Sequence, residues 1–148
     1  MDGTLLGLGG KTLSEAVQDP NAYVSACPTR QALDRIADKW TVLVLGLLEG
    51  GPMRFNQLRR EIEGISQKML SQTLKSLERD GLVSRRAFAT VPVTVEYSIT
   101  PLGATLAQTL VPLRVWAETH ITRMLEARAA YDRAGDDRMA DERTADAA

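Results

Sequence analysis

From residue 28 to residue 80 the apolar positions recur at helical spacing, and between residues 82 and 100 the period falls to two. Pro28 suits the first turn of a helix reaching about residue 37, with Ala32, Leu33, Ile36 and Ala37 as its apolar face. A second helix is predicted from near Asp38 through Trp40, Val44, Leu47 and Leu48, stopped by Gly50, Gly51 and Pro52. A short third helix, residues 55–61, sets Phe55, Leu58 and Ile62 at helical spacing before Gly64 breaks the pattern. Ser66 is placed to cap a fourth helix that runs to Asp80 and closes at Gly81, and Ile65 is positioned to staple onto Leu70. On that helix Leu70, Leu74 and Leu77 share one face, while Lys68, Ser71, Gln72, Lys75 and Arg79 fall on the other.

After Gly81 the alternation predicts strands at residues 82–88 and 94–100, the second with Val95, Tyr97 and Ile99 against Glu96 and Ser98. Residues 89–93, with Pro92 inside, make the pair a hairpin. Pro101 opens a long helix carrying Leu102, Leu106, Leu110, Leu113, Trp116, Ile121 and Leu125, with an interruption or kink expected at Pro112. The ends differ from this middle. Residues 1–26 are rich in Gly, Asp and small side chains, with residues 13–18 able to form a short helical arm. From Tyr131 the chain is charged, Ala-rich and without an apolar stripe. The expected organisation is a partly flexible extension (1–26), a folded domain with a C-terminal helix (27–130) and a flexible charged tail (131–148), mostly α with a small β-hairpin.

The 148 residues carry 18 Lys plus Arg, 19 Asp plus Glu, one Cys and one His, with 44% hydrophobic residues. A packed core is affordable at that fraction. One Cys and one His exclude an intramolecular disulfide and a zinc site of four N and S ligands within one chain. Residues 1–10 hold Asp2 and no Lys or Arg, unlike a signal peptide, and the longest apolar run, residues 42–48, is far below the roughly 18 residues of a membrane span. A cytoplasmic protein without membrane contact is expected. The near-zero net charge hides an asymmetry: residues 54–86 contain Arg54, Arg59, Arg60, Lys68, Lys75, Arg79, Arg85 and Arg86 against Glu61, Glu63, Glu78 and Asp80, a local net of +4. Binding to a polyanion depends on such a local field, so a pI near 5.9 does not argue against it.

Three helices, the last with a polar and cationic outer face, followed by a hairpin bearing Arg85 and Arg86, describe a winged helix-turn-helix. Reading base edges in the major groove needs outward side chains that donate and accept hydrogen bonds, and Lys68, Gln72 and Lys75, with Ser66, Gln67 and Ser71 beside them, are the candidates. Arg54, Arg59, Arg60, Arg79, Arg85 and Arg86 are the candidates for phosphates, giving affinity and register without sequence information. Lys75 and Arg79 could instead pair with Glu78 or Asp80 on the surface. An exposed face of Lys, Ser and Gln disfavours the alternative of a winged-helix protein–protein module, which would place apolar anchors there. No nucleophile–base pair, metal ligand set or phosphate-binding glycine loop points to an enzyme, and no cofactor is implied.

The runs Cys27-Pro28-Thr29-Arg30, Asp38-Lys39-Trp40, Gly51-Pro52-Met53-Arg54-Phe55-Asn56-Gln57-Leu58, Gly64-Ile65-Ser66-Gln67-Lys68-Met69-Leu70-Ser71, Leu77-Glu78-Arg79-Asp80-Gly81-Leu82-Val83 and Val95-Glu96-Tyr97-Ser98-Ile99-Thr100-Pro101-Leu102-Gly103 resemble the HxlR family of bacterial transcription regulators, relatives of MarR. The likeness covers residues 27–118. It implies a homodimeric repressor or activator on an inverted-repeat operator of double-stranded DNA, with residues 66–80 in the major groove and the hairpin near the minor groove. It also implies dimerisation through the terminal helices, here residues 27–37 and the helix after Pro101. One departure is a hairpin tip, residues 89–93, without charge, which leaves the wing's contribution to Arg85 and Arg86.

Cys27 reads either as a small packed residue or as a thiol sensor, because a helix N-terminus and nearby Arg30 favour the thiolate. The resemblance implies sensing of oxidants, quinones or aldehydes at the matching position in several members. Without a second Cys in the chain, that reaction is an intersubunit disulfide, a mixed disulfide with a small thiol, or alkylation. Trp40, Phe55, Tyr97 and Trp116 read as core or dimer contacts. Trp116 and Tyr131 are also candidates for an effector pocket between the hairpin domain and the long helix, which would make a non-covalent aromatic ligand the alternative inducer. His120 stands alone in the sequence, with no metal or general-base set around it.

Overall fold

The computed structural model of the protein describes residues 20–147. Its elements are α1 (Pro28–Ile36), α2 (Lys39–Leu48), β1 (Met53–Arg54), α3 (Phe55–Glu61), α4 (Gln67–Arg79), β2 (Val83–Phe88), β3 (Thr94–Ile99) and α5 (Pro101–Asp146). The proposed arm at residues 13–18 lies outside the described residues. The strands form a three-stranded antiparallel sheet in the order β1-β3-β2, so the expected hairpin gains a third strand. A two-residue strand is too short to show a period, which is why the pattern missed it.

The core is built from the apolar faces that the spacing marks. Val44, Leu45 and Leu48 of α2, Leu58 of α3, Leu70, Leu74 and Leu77 of α4, and Val83 of β2 are buried, joined by Ile62 and Ile65 from the loop between α3 and α4. α4 packs against α2 and β2. Two of the helix starts are capped by their own side chains: the Asp38 carboxylate accepts from the Trp40 N–H at 2.8 Å, and the Ser66 hydroxyl from the Met69 N–H at 3.1 Å.

The far end of α4 closes by backbone geometry. Gly81 takes φ +75°, the Gly81 N–H donates to Glu78 O at 3.1 Å and the Leu82 N–H to Leu77 O at 2.9 Å, a Schellman motif that turns the chain directly into β2. Thr100 then ties the return strand to that turn. Its hydroxyl donates to Gly81 O at 2.6 Å and accepts from the Gly103 N–H at 3.0 Å, capping α5. Gly103 sits so close to this turn that an added Cβ would collide with the Leu82 carbonyl oxygen and lie 2.8 Å from Ile99 Cγ1.

Two features of the C-terminal region differ from the sequence reading. α5 is not interrupted at Pro112, one of the two outcomes expected there. A proline removes one backbone donor, and the surrounding Leu, Ala, Arg and Glu residues sustain the helix past it. The charged segment after Tyr131 is helical to Asp146 rather than irregular, as its Ala, Arg, Glu and Met content favours. From Ile121 onward every described residue except Gly135 is exposed, in keeping with the missing apolar stripe. The chain divides into two compact units, one ending at Gln108 and one beginning at Thr109.

Candidate nucleic-acid interface

With Leu70, Thr73, Leu74 and Leu77 buried, the face of α4 turned to solvent is fixed. Lys68, Gln72, Lys75 and Arg79, spaced i, i+4, i+7 and i+11, form one exposed stripe opposite the core. Arg79 therefore stands in line with the base-contact candidates. Ser71 is half-buried on one flank. Gln67 is exposed in the first turn, and Ser66 keeps its hydroxyl for the cap. The pairing considered for Lys75 and Arg79 does not form: among the described residues neither makes an ion pair, and Asp80 turns to Arg35 instead, at 2.9 Å.

The arginine candidates divide among three places. Register sets Arg85 opposite Tyr97 and Arg86 opposite Glu96, and successive strand residues point to opposite faces. Arg85 shares the face of buried Val83 and lines a cleft of about 400 Å³ with Ser71, Lys75, Glu78 and Tyr97, beside α4. Arg86 occupies the other face, its guanidinium carbon 4.8 Å from the Phe88 ring centroid. Arg54 of β1 pairs in register with Glu96 as well, so Arg54, Glu96 and Arg86 form a row across the sheet. Arg60 of α3 joins Arg54 in a cleft of about 510 Å³ against the hairpin, while Arg59 is exposed on α3. The Arg54 N–H donates to Gln57 Oε1 at 2.9 Å, which fixes the entry to α3.

On the opposite flank of α4 a cleft of about 460 Å³ is lined by Arg35, Trp40, Met69, Gln72 and Lys75. Trp40 is half-buried there, with the Lys39 ammonium 4.6 Å from its ring centroid. Phe55 and Tyr97 are half-buried too.

Cys27 is the half-buried N-cap residue of α1. Its sulfur receives the Asn21 N–H at 3.4 Å and its thiol donates to Thr29 Oγ1 at 3.2 Å. The Arg30 guanidinium donates to the carbonyls of Ala22 and Tyr23, at 3.2 and 3.1 Å, and so holds the preceding turn. Trp116 is 50% and Tyr131 73% exposed. They are not brought together, since 15 residues of one continuous helix span roughly 22 Å. Trp116 stacks instead on His120, centroids 4.7 Å apart, and His120 Nδ1 lies 2.8 Å from Trp116 O. Among the described residues no cluster of His, Cys, Asp or Glu could hold a metal ion, and no helix is long and apolar enough to cross a membrane.

Sequence reasoning missed Arg35, Glu96 and Thr100. Arg35 and Thr100 act through partners in other elements, Asp80 and Gly81, and Glu96 through its place in the sheet register, none of which a local pattern marks.

Residues 35–125 match the model of the HxlR-like helix-turn-helix family. The chain is 40% identical over 117 residues to the uncharacterized HTH-type transcriptional regulator YtfH of Escherichia coli (strain K12), covering 79% of this chain and 93% of that protein. Among solved structures it is similar to ytfH from Salmonella typhimurium (39% identity, TM-score 0.70, covering 74% of this chain and 98% of that one). It is also similar to the redox regulator HypR in its oxidized form (39% identity, TM-score 0.58, 63% and 96%). A helix-turn-helix whose α4 carries an exposed polar and cationic stripe, a hairpin after it, and these relatives together place the chain in the HxlR-like helix-turn-helix family.

Proposed function

We propose that the protein is a sequence-specific transcriptional regulator that binds double-stranded DNA as a homodimer. The observation that carries this reading is the exposed stripe Lys68, Gln72, Lys75 and Arg79 on a helix whose other face is in the core. In that role Lys68, Gln72 and Lys75 meet base edges in the major groove, and Arg79, Arg85, Arg60 and Arg54 meet phosphates around it. Dimerisation is supported by apolar faces left uncovered on the helices at both ends. α1 has no buried residue and leaves Leu33 49% exposed, and α5 exposes Leu113, Trp116, Ile121 and Leu125. A two-fold dimer reads an inverted repeat with half-sites about one helical turn, roughly 34 Å, apart.

Regulation is assigned to Cys27. Its sulfur sits at the start of α1, where the helix N-terminus favours a thiolate, and holds the Asn21 N–H of the preceding turn. Oxidation or alkylation removes that contact and changes the setting of a helix on the proposed dimer face. The similarity to a regulator solved in an oxidized form favours this reading over a non-covalent ligand. Anisotropy titration against duplex DNA from upstream of the protein's own gene tests both parts. Salt-sensitive binding that a mild oxidant abolishes in the wild type but not in Cys27→Ser is expected. Binding indifferent to the oxidant removes the thiol switch, and equal affinity for random duplex removes the sequence-specific reading.

A further inference from the structure

We infer that residues 128–142 of α5 are a second self-association site, at which two copies of the chain cross antiparallel at Gly135 and join two dimers into a tetramer. The dimer is the one proposed above; the contact at Gly135 is separate from it and does not depend on DNA binding. Residues 126–146 lie past the stretch matched to the family model, yet they continue α5 without a break.

Gly135 sits inside this helix, where glycine is among the least favourable residues. Nothing in the chain calls for one there, since an added Cβ would meet nothing within 4 Å. A bare stretch of helix backbone suits close approach by a second backbone.

Residues three, four and seven positions to either side of Gly135 share its face. A two-fold axis through Gly135 sets each position before it opposite the equally distant position after it in the other copy. Asp132 then meets Arg138, Tyr131 meets Met139 and Arg128 meets Glu142, each twice. Every charge on the face finds its opposite. Residues 131, 135 and 139 form an i±4 row, along which helices commonly interlock. Tyr131, 73% exposed, and Met139, 54% exposed, cover one another as ring and thioether.

The four charges are not engaged along their own helix. Arg128 and Asp132, like Arg138 and Glu142, stand four residues apart, a spacing at which Arg114 and Glu118 close to 2.7 Å. Neither of these two pairs closes among the described residues, and Arg138 donates to Ala134 O at 3.4 Å. A crossing at Gly135 is also not the contact that covers Leu113 and Trp116, which lie roughly 30 Å back along the helix. The two contacts therefore use different mates, and together they give a dimer of dimers with two DNA-binding surfaces.

Sedimentation of the full chain across a concentration series tests this. The wild type is expected to reach twice the mass of Gly135→Leu, whose association should be weaker by about tenfold or more. Circular dichroism should show Gly135→Leu and Gly135→Ala at least as helical as the wild type, so their loss of association is not unfolding. Arg128→Glu and Glu142→Arg should each weaken association by about threefold. The double variant should restore it, whereas pairing within one helix would make the double variant worse than either single one. Equal masses for the wild type and Gly135→Leu at every concentration overturn the inference, as does a double charge variant that associates more weakly than both single variants. A wild-type dimer that Gly135→Leu turns into a monomer keeps the contact at Gly135 and removes the dimer face on α1 and the start of α5.

Discussion

Arg35 Nε lies 2.9 Å from Asp80 Oδ2, joining the last turn of α1 to the residue that caps α4, 45 positions along the chain. α4 is thus tied to the helix capped by Cys27. Both side chains are more than a third exposed, 37% and 39%, so solvent screens the pair. Its contribution is at most about 1 kcal/mol, and the carboxylate at a helix C-terminus opposes the macrodipole by a similar amount.

Asp80→Asn is therefore expected to change stability by less than about 1 kcal/mol in a urea melt. Gly81→Ala, one position later, forces a side chain into φ +75° and is expected to cost about 1–2 kcal/mol. The larger loss from Asp80→Asn would show that the ion pair, rather than the backbone motif, holds the end of α4.

Glu96 separates Arg54 and Arg86 in the sheet register without forming a contact ion pair with either among the described residues. Glu96→Gln removes the charge that partly neutralises them. Non-specific DNA affinity at low salt should rise about twofold, with a steeper salt dependence, in line with ~0.5 kcal/mol for an exposed charge. A fall in affinity would mean that Glu96 orients the arginines rather than screening them.

Arg85 and Arg86 are neighbours in sequence on opposite faces of the sheet. Arg85, beside Ser71 and Lys75, is expected to contribute more to the salt slope than Arg86, which is engaged on Phe88. Comparing the slopes of Arg85→Ala and Arg86→Ala, each worth up to about 0.9 if one phosphate contact is lost, checks this ordering.

Gly103→Ala drives a methyl group into the Leu82 carbonyl and Ile99. Overpacking against backbone is expected to cost about 1–3 kcal/mol, and Thr100→Ala, which removes the cap of α5, about 1 kcal/mol. Thermal melts of the two variants and the double variant measure both. Since both act on the turn between α4 and β2, their effects should not add.

Most of the fold was legible because its helices announce themselves locally. Pro28, Asp38, Ser66 and Gly81 mark starts and stops by their own chemistry, and the Leu70, Leu74, Leu77 face identifies the core. The stripe of Lys68, Gln72, Lys75 and Arg79 follows from the same periodicity. What periodicity does not carry is pairing between distant segments. It gave no register, so Arg85 and Arg86 read as equivalent, and no hint that Met53 and Arg54 add a strand. The continuity of α5 through Pro112 depends on the balance of one lost hydrogen bond against many retained, which a breaker rule does not weigh.

α4 is the element proposed to read base sequence. Selection of a randomised duplex library by wild type, Lys68→Ala and Gln72→Ala, with affinities measured for the enriched sites, tests it most directly. An inverted-repeat consensus is expected for the wild type, with loss of about 1–3 kcal/mol of discrimination at one position per half-site in each variant. A consensus unchanged in both variants, or no consensus at all for the wild type, would contradict it.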